Sequence, residues 1–374
     1  MMGLFRSKEI TKIVHVSSAH PWTDNRIHYR ECTSLAEAGY KVTLVAVRSA
    51  VGGPRTAVAI RTIPSRSRLK RILLSTSESL AIALRTNAKI FHLHDPELIP
   101  AIPVLRLLGK KVIYDAHEDL PVQVKNKPYL NRFATPLMVA LAHLLVAASK
   151  TSSHVIAATE AIAERYPEAM ATVVHNYPPL RAEELDAKNA GERGRAVAYV
   201  GGIGSLRGAD VMVEAMGRSE LPKDWRLELA GKISDRLREE LSRNPGWVRT
   251  SFHGQVSSPE ARDLLLRCRV GLVLFQDTPA HRESLPTKMF EYFAAGLPVI
   301  ASDFPLWRTI VGDHDCGILV DQTSPGAVAS AISRYERDAG LLSRHSENAM
   351  RLARERLNWH HEALGLLGVY ERLR

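Results

Sequence analysis

The stretch KIFHLHDPELIPAIPVLRLLGKKVIYDA, residues 89–116, decides the fold. Lys89–His94 is a short apolar run, Pro96–Leu108 has helical period and is closed by Gly109, and Lys111–Ala116 is apolar again. A strand, a helix ended by glycine and a second strand form one βαβ unit, the building block of a parallel sheet. Working outward, Lys12–Ser17, Lys41–Val47, Ala57–Ile63 and Ser153–Ala158 read as further buried strands, and Asp24–Ala38, closed by Gly39, as a helix. Tyr177–Arg195 (YPPLRAEELDAKNAGERGR) then breaks the pattern with polar residues and no apolar period. A second series follows in Ala196–Val200, Arg226–Ala230, Val248–His253, Val270–Phe275, Pro298–Ala301 and Gly317–Val320. The expected fold class is α/β, with two Rossmann-like doubly wound domains facing across a cleft. Such sheets take ligands at their carboxyl ends. The boundaries are 1–178 for the first domain, 179–195 for a linker and 196–356 for the second domain.

A chain of 374 residues exceeds the ~250–300 at which one core stops growing, in keeping with two domains. Its 45% hydrophobic and 24% charged residues are an ordinary globular mix. No run reaches the ~18 apolar residues of a membrane span. The longest candidate, Ala134–Ala148, is interrupted by Pro136 and His143 and reads as a buried helix. Met1–Ile10 carries Arg6, Lys8 and Glu9 without an apolar core, so no signal peptide is expected. Cys32, Cys268 and Cys316 are scattered, which argues against a disulfide framework or a zinc spacing and for a reducing cytoplasm. Residues 1–180 hold 23 Lys/Arg against 13 Asp/Glu, whereas residues 181–374 hold 27 of each. The excess positive charge therefore belongs to the first half. It suits solubility, or attraction to an anionic lipid surface or phosphorylated acceptor. No aromatic-interleaved basic strand accompanies it, so nucleic acid is not expected as a partner.

The strongest chemical signal is HRESLPTKMFEYFAAGLPVIASD, where Glu283 and Glu291 stand seven residues apart. With Pro286 opening a helix, Glu283 lies in the loop before it and Glu291 one to two turns inside. Amides at that helix start, with Ser284, Thr287 and Lys288, suit a diphosphate. A glycine-rich loop, VGGIGSLRG at Val200–Gly208, lies between a strand and a helix. It offers a second close approach to phosphate through Gly201 and Gly202, with Arg207 as a planar cation. In the first half, His94-Asp95 and the Asp115–Asp119 stretch containing His117 end neighbouring strands. Asp24 and Arg26 open a helix, where Asp24 as an ordinary N-cap is an equal account. His92 and His94 alternate along one strand with Asp95 turned away, and no third or fourth metal ligand is indicated, so no metal is expected. Asp313-His314-Asp315 reads as a loop. Arg66, Arg68, Lys70 and Arg71 adjoin an apolar run and suit a basic helix lying on anionic lipid.

The segment around Glu283 and Glu291 resembles the E-x7-E element of retaining GT-B enzymes in glycosyltransferase family 4. The likeness extends through GGIGSLRGADVMVEAM, LELAGKI, FHGQVSSPEARDLL and CGILVD. The DNRI and HDPEL stretches are similar to those of a subset of bacterial relatives. The resemblance implies a metal-independent retaining glycosyltransferase without a cofactor, using a nucleotide diphosphate sugar in polysaccharide or glycolipid synthesis. It also implies that Glu283 lies beside the transferred sugar, that Glu291 meets the ribose, and that His117 contacts the donor sugar. Asp24, Arg26, His94 and Asp95 fall on the acceptor side, and 357–374 resembles a final helix packing back on the first domain. Gly202 stands where the family usually has Arg. Two other readings remain open: a GT-B isomerase acting on a nucleotide sugar, and a catalytically silent nucleotide-sugar-binding partner.

Overall fold

The computed structural model describes residues 10–49, 52–125, 134–181, 184 and 189–374. The leader reading of residues 1–9 and the linker residues 182, 183 and 185–188 lie outside them. The chain divides into two compact units, Met1–Asn176 with Trp359–Arg374, and Tyr177–Asn358.

The first unit is built on seven strands: β1 (Lys12–Pro21), β2 (Lys41–Val47), β3 (Ala59–Ile63), β4 (Ile90–Leu93), β5 (Lys111–Ala116), β6 (His154–Ala157) and β7 (Ala171–Val173). They run in the order β3-β2-β1-β4-β5-β6-β7, every pair parallel. Because side chains alternate along a strand, two cores form. Val14, Val16, Phe91, Leu93 and Val112 pack on one face, and Ile13, Leu44, Ile90, Ile113 and Ile156 on the other. The second core is closed by the helix Trp359–Leu373, which buries Trp359, Leu366, Val369 and Tyr370. Each such side chain stabilises the unit by roughly 1.5–3 kcal/mol relative to exposure.

The second unit has six parallel strands: β8 (Ala196–Val200), β9 (Arg226–Ala230), β10 (Thr250–Gly254), β11 (Val270–Val273), β12 (Val299–Ser302) and β13 (Gly317–Val320). Their order is β10-β9-β8-β11-β12-β13. Its two faces are covered in the same way, one core containing Val197, Tyr199, Leu227 and Leu272, the other Ala198, Val273, Val299 and Ala301. Both sheets reverse their winding once, between β1 and β4 and between β8 and β11. Those switch points are where doubly wound sheets take ligands.

Some local expectations need correction. The described part of the predicted linker packs on the second unit: Tyr177 and Ala190 are buried in its cores, and Glu184 pairs with Arg262. The predicted helix over Asp24–Ala38 starts as Asn25–Cys32 with wide i→i+5 hydrogen bonding and becomes α-helical at Thr33–Glu37. The apolar helix Ala134–Ser149 is only half-buried: Ala142 and Val146 face inward, whereas Leu137, Leu141 and Leu144 are exposed. No helix among the described residues is long and apolar enough to cross a membrane. Cys32, Cys268 and Cys316 are free and buried.

Candidate active site

In the second unit the site is assembled at the end of β8 and the start of the helix Thr287–Ala294. That helix has Pro286 at its N-cap, no capping side chain and no acidic residue in its first turn. A helix start left this way presents amide N–H groups and a positive dipole end. The helix sits close on the sheet because Gly271 of β11 carries no side chain; one there would run into the ring of Tyr292. The Tyr292 hydroxyl in turn accepts the Val200 amide at 2.9 Å, which fixes the end of β8. The indole of Trp307 donates to the Ser284 carbonyl at 2.8 Å and fixes the loop before the helix.

Lys288 is the centre of this arrangement. It is 8% exposed, and its Nζ donates to the Tyr199 hydroxyl at 3.2 Å while lying over the rings of Tyr199 and Phe275, at 4.6 and 4.9 Å from their centroids. Among the described residues no carboxylate forms an ion pair with it. Burial, reinforced by the Arg207 charge, lowers its pKa from 10.5 to about 7, against a weaker opposite pull from Glu291. Its chain lies against Gly201, whose φ of +134° is a conformation that favours glycine. Arg207 is exposed and donates to the Gly202 carbonyl at 3.1 Å, and the Tyr199 hydroxyl donates to the same oxygen at 2.7 Å. A side chain at position 202 would run into the Arg207 guanidinium. The Arg207 guanidinium therefore lies in the space next to position 202.

The remaining predicted residues surround this centre unevenly. Glu283 is exposed at the end of the short helix Pro279–Arg282, and Glu291 is half-buried on the second turn of the helix carrying Lys288. Neither carboxylate has a hydrogen bond or ion pair among the described residues. Thr287 opens the helix, and the Ser284 hydroxyl donates to the His281 carbonyl at 3.0 Å. Tyr199 and Phe275, which sequence reasoning missed, end a strand and follow one, the signal that could have found them. Asp315 of the DHD triplet pairs with Arg344 and His345.

In the first unit the predicted residues form a buried, internally paired network. Arg26, expected on the acceptor side, is 4% exposed and is taken up within the unit. Its guanidinium donates to both Asp115 oxygens at 3.0 and 3.3 Å and to the Val174 carbonyl at 2.8 Å. Burial opposes its charge, but Asp115 and Glu31 outweigh that and raise its pKa. Burial likewise opposes ionisation of Asp115, and Arg26 and His117 outweigh it, holding the carboxylate well below its usual range. His117 Nε2 lies 2.7 Å from Asp115 Oδ2 and remains partly exposed. His94 is buried, with Nδ1 3.0 Å from Asp115 and Nε2 2.9 Å from His15 Nδ1. Asp95, also buried, accepts from the Ser17 hydroxyl at 2.8 Å and the Ser18 amide at 2.6 Å, so it secures β1 just past its last pair with β4, Val16 with Leu93. Asp24 is the N-cap of the next helix, accepting the Arg26 and Ile27 amides at 2.9 Å each. Burial opposes its charge, but His20 and the Ile27 amide bring its pKa down to about 2. His20 itself, another residue missed from the sequence, lies 3.5 Å from Asp24 and 3.6 Å from Asp95.

The absence of further metal ligands does not survive folding. β1 and β4 pair His15 with His92, and the adjoining helix adds Glu31. These residues and His94 place one potential ligand atom each within 4.8 Å of one another.

The basic segment forms the turns Arg68–Lys70 and Arg71–Ser75. Arg66 pairs with Glu78 at 2.6 Å and Arg71 with Glu97 at 2.7 Å, so part of its charge is cancelled, while Leu69, Leu73 and Leu74 stay exposed.

Residues 180–352 match the family described as glycosyl transferases group 1, and residues 25–176 match glycosyltransferase family 4. A D-inositol 3-phosphate glycosyltransferase of Xylanimonas cellulosilytica is 31% identical over 180 residues, 46% of this chain and 41% of that protein. The lipopolysaccharide core biosynthesis mannosyltransferase LpcC of Rhizobium leguminosarum is 26% identical over 206 residues, 53% of this chain and 56% of that protein. The chain thus spans about half the length of the curated relatives it matches. Sucrose-phosphate synthase from Thermosynechococcus elongatus shares the fold, with a TM-score of 0.75 at 20% identity, covering 97% of this chain and 99% of that one.

Proposed function

This chain belongs to the GT-B glycosyltransferases of family 4, and from that premise we propose that it moves a sugar from a nucleoside diphosphate to an acceptor in cell-surface polysaccharide or glycolipid synthesis. The observation that carries this reading is Lys288, a buried amine with no counter-ion among the described residues, beside a glycine loop and an uncapped helix start. A buried cation without a partner is unfavourable by itself, and a bound dianion supplies the partner. In this reading Lys288, Arg207 and the amides of the helix start hold the diphosphate, and Ser284 and Thr287 flank it. Glu291 takes the ribose hydroxyls, and Glu283 meets the transferred sugar.

The transfer proceeds with retention and without a metal at the reacting centre. The bond from the anomeric carbon to the diphosphate oxygen breaks, and the acceptor oxygen bonds to that carbon on the same face. The acceptor proton passes to the departing diphosphate. Cations and amides aimed at that oxygen stabilise the charge it gains. Membrane attachment through Arg66, Arg68, Lys70, Arg71 and the exposed leucines beside them belongs to the same reading, with the acceptor lipid-linked or anionic.

The experiment is a thermal-shift series with UDP-, GDP- and ADP-sugars on the wild type and Lys288→Ala. A nucleotide at about 100 times its dissociation constant raises stability by about 2.7 kcal/mol. The expected result is a shift with one base class that Lys288→Ala greatly reduces for the diphosphate but not for the nucleoside. Equal loss for both ligands places Lys288 away from the diphosphate, and no shift with any nucleotide sugar overturns the reading.

A further inference from the structure

The face of the first sheet beneath the helices Asn25–Cys32 and Trp359–Leu373 holds an arrangement that sugar transfer does not use. Period-two alternation puts His15 of β1 on the same face as Ile13, and His92 of β4 and the adjacent His94 on the face of Ile90. The parallel register sets His15 directly opposite His92. Glu31 descends onto the three rings from the helix above. All four residues are buried, none more than 2% exposed.

Glu31 is anomalous as a hydrogen-bonding group. Arg26 Nε stands 3.0 Å from Oε1 but makes no hydrogen bond with it, and among the described residues neither carboxylate oxygen has a donor. Among the same residues His92 Nε2 is likewise buried without a partner. A buried carboxylate with both oxygens unsatisfied is unfavourable by the full desolvation of the group. The neighbouring groups, by contrast, are well held. Asp115 receives His94 Nδ1 at 3.0 Å, leaving His94 Nε2 turned to His15. The Tyr370 hydroxyl meets His15 Nε2 at 3.1 Å and His92 Nδ1 at 2.8 Å.

We propose that His15, Glu31, His92 and His94 form a structural site for one zinc-class divalent cation. His15 Nδ1 and His94 Nε2 are 2.9 Å apart, Glu31 Oε2 is 4.0 Å from His15 Nδ1, and one ligand atom from each of the four residues lies within 4.8 Å of the others. Tetrahedral ligands at ~2.0–2.1 Å from zinc are separated by about 3.3–3.5 Å, a value these distances bracket. Imidazole and carboxylate donors suit zinc, and four protein ligands with no solvent-facing position make a closed, structural site. Asp115 behind His94 is the outer carboxylate that orients a metal-bound histidine, and Tyr370 serves His15 in the same way. The overlapping triad His94, Asp115 and His117 is the weaker candidate, because Asp115 is already paired with Arg26. The cation ties the helix Trp359–Leu373 to β1 and β4 through Tyr370 and takes no part in the transfer.

The test uses untagged protein produced in zinc-supplemented medium. Elemental analysis gives zinc per chain, and melting temperature is followed after chelator treatment and again on adding zinc. About one zinc per chain is expected, with chelation lowering the melting temperature and zinc restoring it. Glu31→Gln and His92→Ala should each weaken zinc retention at least about tenfold, whereas His117→Ala should keep it. Should either variant fail to fold, the wild-type stoichiometry and zinc-dependent melting decide alone. Wild type that neither carries zinc nor is stabilised by it overturns the site. Undiminished retention in both variants, or loss confined to His117→Ala, overturns it equally.

Discussion

Arg26 in the first unit and Lys288 in the second are buried to a similar degree, 4% and 8% exposed, near the switch points of two sheets of the same winding. Their surroundings differ. Arg26 has Asp115 and Glu31, and they raise its pKa. Lys288 has a phenol, two aromatic faces and a second cation, and its pKa falls to about 7. Burial of charge therefore does not by itself mark a binding site. A buried charge without a partner among the described residues is the better candidate, because a bound anion can supply what is missing.

The sharpest way to break this contrast is to remove each cation. Arg26→Met should destabilise the first unit by about 3–5 kcal/mol, since it leaves Asp115 buried without its cation. Chemical denaturation followed on that unit checks this, and an unchanged midpoint would mean that the pairing contributes nothing.

Lys288→Met should act in the opposite direction on the ligand-free protein, stabilising it by roughly 2–4 kcal/mol at pH 6, where the buried amine is charged. Its folded pKa lies below the unfolded value of 10.5. The unfolded chain therefore binds the proton more tightly between about pH 7 and 10.5, and wild-type stability should rise with pH across that window. Diphosphate binding needs the ammonium form, so it should weaken above pH 7 by up to about tenfold per pH unit and take up a proton at pH 8. Calorimetry in buffers of different ionisation enthalpy reads that proton; a flat pH profile would mean that Lys288 stays charged without a ligand.

The two carboxylates sharpen the contrast within the second unit. Glu291→Ala should raise the Michaelis constant for the nucleotide sugar by about tenfold. Glu283→Ala should lower turnover by at least that factor with little change in binding. Unaltered steady-state kinetics in both variants would remove them from the site.

The smallest effect is expected at the surface of the first unit. Changing Arg66, Arg68, Lys70 and Arg71 to Gln should reduce co-sedimentation with anionic vesicles by only a few-fold at low salt. Each basic residue near an anionic surface contributes on the order of 1 kcal/mol, and Arg66 and Arg71 are already paired within the chain. Binding that ignores lipid charge and salt would leave this face a solubilising surface.

Most of the fold was legible because parallel strands buried on both faces read as short Val/Ile-rich runs, as KIFHLH and KVIYDA do. The three-residue β7 has no such run and was missed. In the candidate site, local signals gave the positions along the chain of Glu283, Lys288 and Glu291 and the glycine loop. What sequence could not give was partnership. Arg26 reads as a surface cation until Asp115, 89 residues away, is folded against it. His92 and His94 read as a pair until β1 brings His15 and its helix brings Glu31. Nor does local reading distinguish the two leucine faces of Ala134–Ser149, because near-uniform apolarity carries no direction.

Tyr370 touches His15 across 355 residues of chain. A ribosome therefore releases the entire second unit before the first can be completed. During that interval the grooves for Trp359, Leu366 and Val369 stay open to solvent, and apolar surface left open in this way invites misassembly. Completion of the first unit consequently waits for the end of synthesis: the unit begun first is finished last.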